Sequence, residues 1–215
     1  MDVFRDPGAT PQALLAAVKA LPGMASVYET QVRHYVLEEH TRLVLGQFDW
    51  YFGNLDLPMP RELFRFLLTV HDIGKPQAQK EGGLRNQHRY TARMINEMRG
   101  EIPFSNPDID CCLAIVGGDP LGQYMQGKAG LVETTESIMR AAGMTVVSIQ
   151  GFFKALTIYY QCDVAAYTKD AGGLPFLEKV FVYRHGSKVV DEKRGILMFS
   201  RTFEDNFKQL EKAFA

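Results

Sequence analysis

Apolar residues recur at helical spacing along most of this chain, and this pattern constrains its fold more than any other feature. The spacing is strongest over residues 61–73 and 148–168, where nearly every turn carries apolar side chains. Further helices are predicted over residues 11–21, 27–52, 88–99, 106–116, 131–140 and 202–214, several of them begun by Pro or ended by Gly. So many amphipathic helices predict an all-α protein, a helical bundle around one core.

Three stretches interrupt the helical pattern. Residues 77–87 and 119–130 are predicted to be loops, because Gly residues accumulate there between periodic segments. Beyond Pro175 the pattern weakens, and the apolar runs on either side of His185-Gly186 predict a small β-hairpin or short helical pieces. Since no repeat or clear linker is present, we predict a single domain over residues 1–215, with its core at about 30–168 and a C-terminal extension at 169–215.

Composition and charge argue against several classes of protein. The formal net charge of −1 predicts no broad surface for nucleic acid and no attraction to an anionic membrane. No apolar run reaches the roughly 18 residues of a membrane span, and the N-terminus does not resemble a secretory signal. Cys111, Cys112 and Cys162 form neither a disulfide framework nor a zinc pattern. We therefore expect a soluble cytoplasmic protein, whose oligomeric state is left open.

The most informative polar residues are His71 and Asp72, which are adjacent at the end of a strongly apolar predicted helix. Neighbours on a helix point about 100° apart, so both seldom face the same core. A carboxylate in the last turn also faces the negative end of the helix dipole, which is unfavourable. A bound divalent cation would reverse that interaction, so the doublet indicates a metal site.

Two further residues are candidate ligands for the same metal. His40 lies 31 residues before His71 on a separate predicted helix, and Asp163 lies 91 residues after Asp72 in an otherwise apolar one. A carboxylate among apolar neighbours is costly unless it is paired or metal-bound. Two imidazoles and two carboxylates suit Mn, Fe, Co, Ni, Zn or Mg better than a soft, thiolate-preferring metal.

The order His40…His71-Asp72…Asp163 resembles the H…HD…D pattern of HD-superfamily metal-dependent phosphohydrolases. Residues 67–76, LLTVHDIGKP, resemble the HDIGK variant, and residues 87–94, QHRYTARM, are similar to a segment of the HD domains attached to tRNA nucleotidyltransferases. Residues 163–166, DVAA, resemble the last HD motif, so the likeness covers about residues 30–168.

The resemblance implies an all-α HD domain in which His40, His71, Asp72 and Asp163 bind a divalent metal ion between helices. It implies that metal-activated water hydrolyses a phosphate ester of a nucleotide or a related small phosphorylated molecule. Asp72 and Lys75 would be the catalytic residues, with Lys75 supplying positive charge to phosphate oxygens in the transition state.

Phosphate contacts and a second metal ion depend on other residues. Arg89, Arg93 and Lys128 are candidate phosphate contacts. His88 matches the first additional histidine of family members with two metals, whereas Asp119 lies where a further histidine is expected. One metal ion is therefore predicted, and it is left open whether His88 and Asp119 hold a second metal ion or contact the substrate.

Two other functions fit the same residues. A non-catalytic HD scaffold, binding a metal, a nucleotide or a signalling partner, is suggested by Lys75, which replaces the glutamate of nucleotidase-like relatives. A di-iron oxygenase would need His88 and Asp119 as ligands. Residues 122–129, GQYMQGKA, nearly match a phosphate-binding loop, but the hydroxyl residue is replaced by Ala and no strand precedes them. His34 and His185 are assigned no function.

Overall fold

The computed structural model describes residues 1–167 and 173–214, which are mostly helical with three small two-stranded antiparallel sheets. The prediction of an all-α fold with a small C-terminal hairpin is therefore confirmed. The chain divides into two compact units, one formed by Met1–Gly46 and Met59–Gly118, the other by Gln47–Pro58 and Asp119–Ala215. The predicted boundary between core and extension, at residues 168 and 169, lies outside the described residues, and the single-domain organisation stays a prediction.

The first unit is built around one apolar helix. Its elements are α1 (Pro11–Lys19), α2 (Met24–Tyr28), β1 (Gln31–Val32), β2 (Tyr35–Val36), most of α3 (Leu37–Tyr51), α4 (Arg61–Val70), α5 (Lys75–Lys80), α6 (Gln87–Glu97) and α7 (Asn106–Val116), with 3-10 turns at Asp2–Arg5, Leu84–Asn86 and Arg99–Glu101. All of α4 from Leu63 to Val70 is buried, and α4 contacts α1, α7 and the first 3-10 turn. Burying an apolar side chain contributes about 1.5–3 kcal/mol, so α4 is the centre of this core.

The long helix predicted over residues 27–52 is wrong in its first third. Residues 31–36 form a tight hairpin in which Val32 pairs with Tyr35, and α3 begins only at Leu37. Arg33 adopts a φ of 50° in the turn, a conformation that ends helical continuity. The aromatic and β-branched residues of the hairpin favour strands, and the correction places His40 in the first turn of α3.

The loop predicted over residues 77–87 is also partly wrong. The helix predicted to reach residue 73 ends at Val70, and a new helix, α5, begins at Lys75. Pro76 lies in the first turn of α5, where a missing backbone N–H costs nothing, so it starts a helix rather than stopping one. Residues 71–74 are therefore a short, buried connection between two helices.

The second unit is built around α10. Its elements are the end of α3, α8 (Pro120–Met125), α9 (Leu131–Ala142), α10 (Ile149–Ala165), α11 (Gly173–Val180), β3 (Tyr183–Arg184), β4 (Ser187–Lys188), β5 (Val190–Asp191), β6 (Ile196–Leu197) and α12 (Arg201–Glu211). Buried Gln161 of α10 donates to the Leu197 carbonyl and accepts from the Leu197 amide, both at 2.8 Å. The side-chain amide thus satisfies the backbone of β6 as a neighbouring strand would.

In the second unit, one local prediction from the sequence is partly wrong and another is confirmed. The loop predicted over residues 119–130 contains α8, whose N-cap is Asp119. The hairpin predicted around His185-Gly186 is present as β3 and β4, and both turn residues have positive φ, 51° and 79°. Within the described residues, no helix has the length and apolarity that crossing a membrane requires.

Candidate metal centre

Three of the predicted ligands lie together in the first unit. His40 is in the first turn of α3, His71 is the C-cap residue of α4, and Asp72 follows it in the connection to α5. Their exposed fractions are only 2%, 3% and 4%. Buried imidazoles and carboxylates need polar partners, so this cluster is the principal polar feature of the unit's interior.

The three side chains converge on one oxygen atom. Asp72 Oδ2 lies 3.5 Å from His40 Nε2 and 3.2 Å from His71 Nε2. The two imidazole rings lie 5.6 Å apart between centroids. Each residue offers a ligand atom within 4.8 Å of the others, and this group could hold a metal ion.

The orientation of His71 is set by the backbone of its own helix. Its Nδ1 lies 2.7 Å from the Leu68 carbonyl oxygen, which can only accept a hydrogen bond. Nδ1 therefore carries the proton, and in the neutral ring Nε2 bears the lone pair. Histidines that bind metals are commonly fixed in this way, with the second ring nitrogen donating to a carbonyl or carboxylate.

The last turn of α4 is held in place by Tyr28. This fully buried side chain donates from its hydroxyl to the Thr69 carbonyl at 2.7 Å. Burial raises the pKa of Tyr28 well above its ordinary value, and the nearby charges of Asp72 and Glu38 raise it further. The hydroxyl thus stays protonated and supports the helix end that carries His71.

Gly74 allows the connection after Asp72 to pass against α6. Its amide donates to the Thr91 hydroxyl at 3.0 Å. A Cβ at this position would lie 2.2 Å from the Thr91 backbone nitrogen and 2.5 Å from the Gln87 carbonyl oxygen. Only glycine permits such a close approach of two backbones, so the glycine of the HDIGK stretch has a direct steric cause.

Lys75 and Tyr35 extend the cluster on one side. Lys75 is buried, and its Nζ donates to Asp72 Oδ2 and, at 3.0 Å, to the Tyr35 hydroxyl. The Tyr35 ring packs against the His40 ring with centroids 4.7 Å apart. Sequence reasoning did not identify Tyr35, because its position depends on the β1–β2 hairpin that the helical pattern concealed.

The fourth predicted ligand, Asp163, lies near the end of α10 in the second unit and is partly buried. Burial raises the pKa of the neighbouring Cys162 thiol well above its ordinary value, and the charge of Asp163 raises it further. Asp119, also in the second unit, accepts a hydrogen bond from the Gly122 amide at 3.0 Å as the N-cap of α8.

The other predicted site residues lie on solvent-facing elements. His88 is partly buried in the first turn of α6, and Arg89 on the same helix is exposed. Exposed Arg93 pairs with Glu97 at 3.6 Å and lies over the Tyr90 ring. Among the described residues, the group close enough to hold a metal ion includes neither His88 nor Asp119.

The remaining candidates of the sequence are at the surface. Lys128 is exposed and donates to Gln126 at 2.6 Å. His34 and His185 are both exposed, His34 in the turn between β1 and β2 and His185 in the turn between β3 and β4.

Comparison with protein-family models, curated proteins and solved structures gives no match. The resemblance to the HD superfamily therefore rests on the residues themselves.

Proposed function

We propose that the chain is a metal-dependent phosphohydrolase of the HD superfamily, cleaving a phosphate ester of a nucleotide or a related small phosphorylated molecule. The observation that carries the proposal is the convergence of His40, His71 and Lys75 on the buried carboxylate of Asp72. His40, His71 and Asp72 have the order and spacing of the HD pattern. The converging residues come from separate segments, since His40 lies on α3, the doublet follows α4 and Lys75 begins α5.

The donors present fit a divalent ion. His71 directs a lone pair from Nε2 because its Nδ1 donates to Leu68, and Asp72 adds a hard, anionic oxygen. When bound, the ion would supply Lewis-acid charge and lower the pKa of water from about 15.7 toward 7. His40, His71 and Asp72 would hold it.

Asp163 is proposed as the fourth ligand. It is a partly buried carboxylate in α10, where the adjoining residues Cys162, Val164 and Ala165 are all buried. Its carboxylate is a hard oxygen ligand that suits a divalent ion. A fourth donor from α10 would complete a set of two imidazoles and two carboxylates.

Lys75 is proposed to stabilise the transferred phosphoryl group. Its ammonium is held by oxygens on two different elements, Asp72 after α4 and Tyr35 on β2, so its position is fixed before any substrate enters. A preorganised cation stabilises the charge that grows on phosphoryl oxygens in the transition state. The formal net charge of −1 does not favour a polyanionic polymer as substrate, which supports a small phosphate ester.

The test combines metal analysis with a substrate screen. The purified chain is loaded separately with Mn, Fe(II), Co, Ni, Zn or Mg, and bound metal is measured by elemental analysis. Nucleoside mono-, di- and triphosphates, cyclic nucleotides and phosphorylated sugars are then screened for hydrolysis. We expect about one metal ion per chain and metal-stimulated hydrolysis of at least one nucleotide class.

Two histidine variants serve as a matched pair. His71→Ala is expected to lose both metal and activity, whereas His34→Ala, at an exposed turn of the same unit, should retain both. Stoichiometric metal without hydrolysis of any substrate would favour a non-catalytic binding module. A chain that binds no metal under any loading condition would refute the proposal.

A further inference from the structure

A cavity of about 250 Å³ lies in the second unit, and its lining residues include none of the proposed metal ligands. It is formed by the first half of α10, the β5–β6 hairpin and the C-terminal half of α12. This volume exceeds the roughly 150 Å³ of an engineered cavity that takes up benzene. The space is therefore large enough for a small organic molecule with one ring or a short branched chain.

The walls of the cavity are mainly aromatic. The Phe153 ring stacks on Phe207 with centroids 5.6 Å apart and lies 4.6 Å from Phe214. Ile196 of β6 and Thr157 of α10 also line the cavity, and all five residues are buried. Aromatic and aliphatic walls of this kind favour an apolar ligand group, because its burial removes apolar surface from water.

Two cationic side chains line the cavity, Arg194 and Lys154, and they differ in whether carboxylates pair with them. The Arg194 guanidinium is surrounded by carboxylates: Asp191 at 2.8 Å, Glu204 at 3.0 Å and Glu211 at 3.7 Å. Lys154, by contrast, donates to the Asp56 carbonyl at 3.0 Å, and no carboxylate of the described residues forms an ion pair with it. Within the described residues, the positive charge of Lys154 therefore has no anionic partner.

Two other features beside Lys154 also favour an anionic ligand group: the side-chain amide of Gln150 and the first turn of α10. Gln150 lies one turn before it on the same face of α10 and also lines the cavity. Gln150 is in the first turn of this long helix, where the helix dipole favours a negative charge. The amide and the ammonium can both donate hydrogen bonds to one anionic group at the mouth of the cavity.

We propose that this cavity is a binding site for a small monocarboxylate with an aromatic or branched aliphatic tail. The tail packs among Phe153, Phe207 and Phe214, and the carboxylate accepts hydrogen bonds from Lys154 and Gln150. Among the described residues that line the cavity, Lys154 is the cation without an ion-paired carboxylate, and a carboxylate ligand matches it, whereas a cationic ligand would meet Glu211, whose charge Arg194 already offsets. The site is independent of the proposed phosphohydrolase activity.

The test uses three probes that share one tail and differ in charge. Binding of 4-phenylbutyrate, its neutral amide and 4-phenylbutylamine to the full chain is measured by isothermal titration calorimetry. The carboxylate is expected to bind most tightly, about tenfold tighter than the amide, since a charge-assisted hydrogen bond is stronger than a neutral one. The amine is expected to bind most weakly.

Variants locate the binding. Lys154→Met should weaken carboxylate binding about tenfold, to the level of the amide, and leave amide binding unchanged. Lys179→Met removes an exposed lysine of the same unit and should change nothing. Thr157→Phe places a ring in the cavity and should abolish binding of every probe, with circular dichroism confirming the fold. Absence of binding, equal binding of carboxylate and amide, or an unaffected Lys154→Met would each overturn the proposal.

Discussion

The two units each contain a cluster of charged and polar side chains, and the clusters differ in how their charges are balanced. Around Arg194 in the second unit, one cation meets the carboxylates of Asp191, Glu204 and Glu211, with side-chain exposed fractions of 16–38%. Around Asp72 in the first unit, three nitrogens approach one carboxylate oxygen, and the Asp72 side chain is only 5% exposed.

The difference distinguishes a cluster whose charges pair with one another from a group that could hold a metal ion. In the Arg194 cluster Asp191 and Glu204 accept hydrogen bonds from the guanidinium and Glu211 lies 3.7 Å from it, so the charges link β5 to α12. In the Asp72 cluster the imidazole of His71 is oriented by Leu68 with its lone pair on the Asp72 side. A buried imidazole lone pair beside a carboxylate suits a cation, so this group could hold a metal ion.

The largest expected effect comes from the cation of the buried cluster. Lys75→Met keeps the volume of the side chain and removes its charge. If Lys75 stabilises phosphoryl oxygens in the transition state, kcat should fall about 10²–10³-fold with bound metal unchanged. Steady-state kinetics and elemental analysis of the same preparation check this. Lys80→Met, at an exposed position of the same helix, should have wild-type kinetics, and a Lys75→Met enzyme of normal kcat would remove Lys75 from the mechanism.

Gly74→Ala tests the backbone contact that supports the first unit's site. A Cβ would lie 2.2 Å from the Thr91 backbone nitrogen, so α6 must move or the connection must distort. The free energy of unfolding should fall by about 3 kcal/mol, as for an overpacked core. Gly46→Ala in α3 is the control, since nothing lies within 4 Å of its Cβ. It should stabilise the chain by about 0.5–1 kcal/mol, and equal effects of the two variants in urea denaturation would contradict the steric explanation.

Tyr35→Phe sharpens the role of Lys75 without removing it. The variant deletes the hydroxyl that accepts from Lys75 Nζ and keeps the ring that packs on His40. We expect kcat to fall roughly tenfold, the value of one hydrogen bond to a charged group, with metal content and substrate KM unchanged. Tyr90→Phe, which removes an exposed hydroxyl on α6, is the matched control. A loss of metal instead of kcat would assign Tyr35 to the support of His40.

Much of the helical fold could be predicted from local residues. The helix predicted over residues 106–116 is α7, because Ser105 and Asp108 form a capping box at its start and Gly117 follows its end. The β1–β2 hairpin could not be predicted, since Val32 and Val36 also fit a helical stripe. Helix and strand compete closely in such short apolar segments, and pairing across the turn decides between them.

The residues of the candidate site that form a recognisable pattern along the chain could be predicted from the sequence. His71 and Asp72 are conspicuous at the end of an apolar helix, and His40 is a histidine on a second helix. Tyr35 was not predictable, because its contact with Lys75 joins positions 40 residues apart through a hairpin with no signal in the periodicity. The polar residues that act through tertiary contacts are those that one-dimensional patterns miss.

The smallest expected effect tests the charge balance of the Arg194 cluster. Burial alone would raise the pKa of Asp191, but hydrogen bonds from the side chain and amide of Arg194 lower it below the ordinary value of 3.8. A carboxyl with a lowered pKa in the folded state stabilises the fold above the pKa of the unfolded chain, and this contribution disappears as pH falls through the folded value. Asp191→Asn should therefore cost about 1 kcal/mol or less at neutral pH.

The pH dependence distinguishes this ion pair from simple packing. The difference in free energy of unfolding between wild type and Asp191→Asn should be constant above about pH 5 and should shrink below about pH 4. Urea denaturation at a series of pH values measures it, with Asp205→Asn on exposed α12 surface as the control. A difference that persists unchanged in acid would mean that Asp191 acts through its shape and neutral hydrogen bonds. The Arg194 cluster would then be held together without net charge attraction, and the contrast with the Asp72 cluster would no longer rest on charge balance.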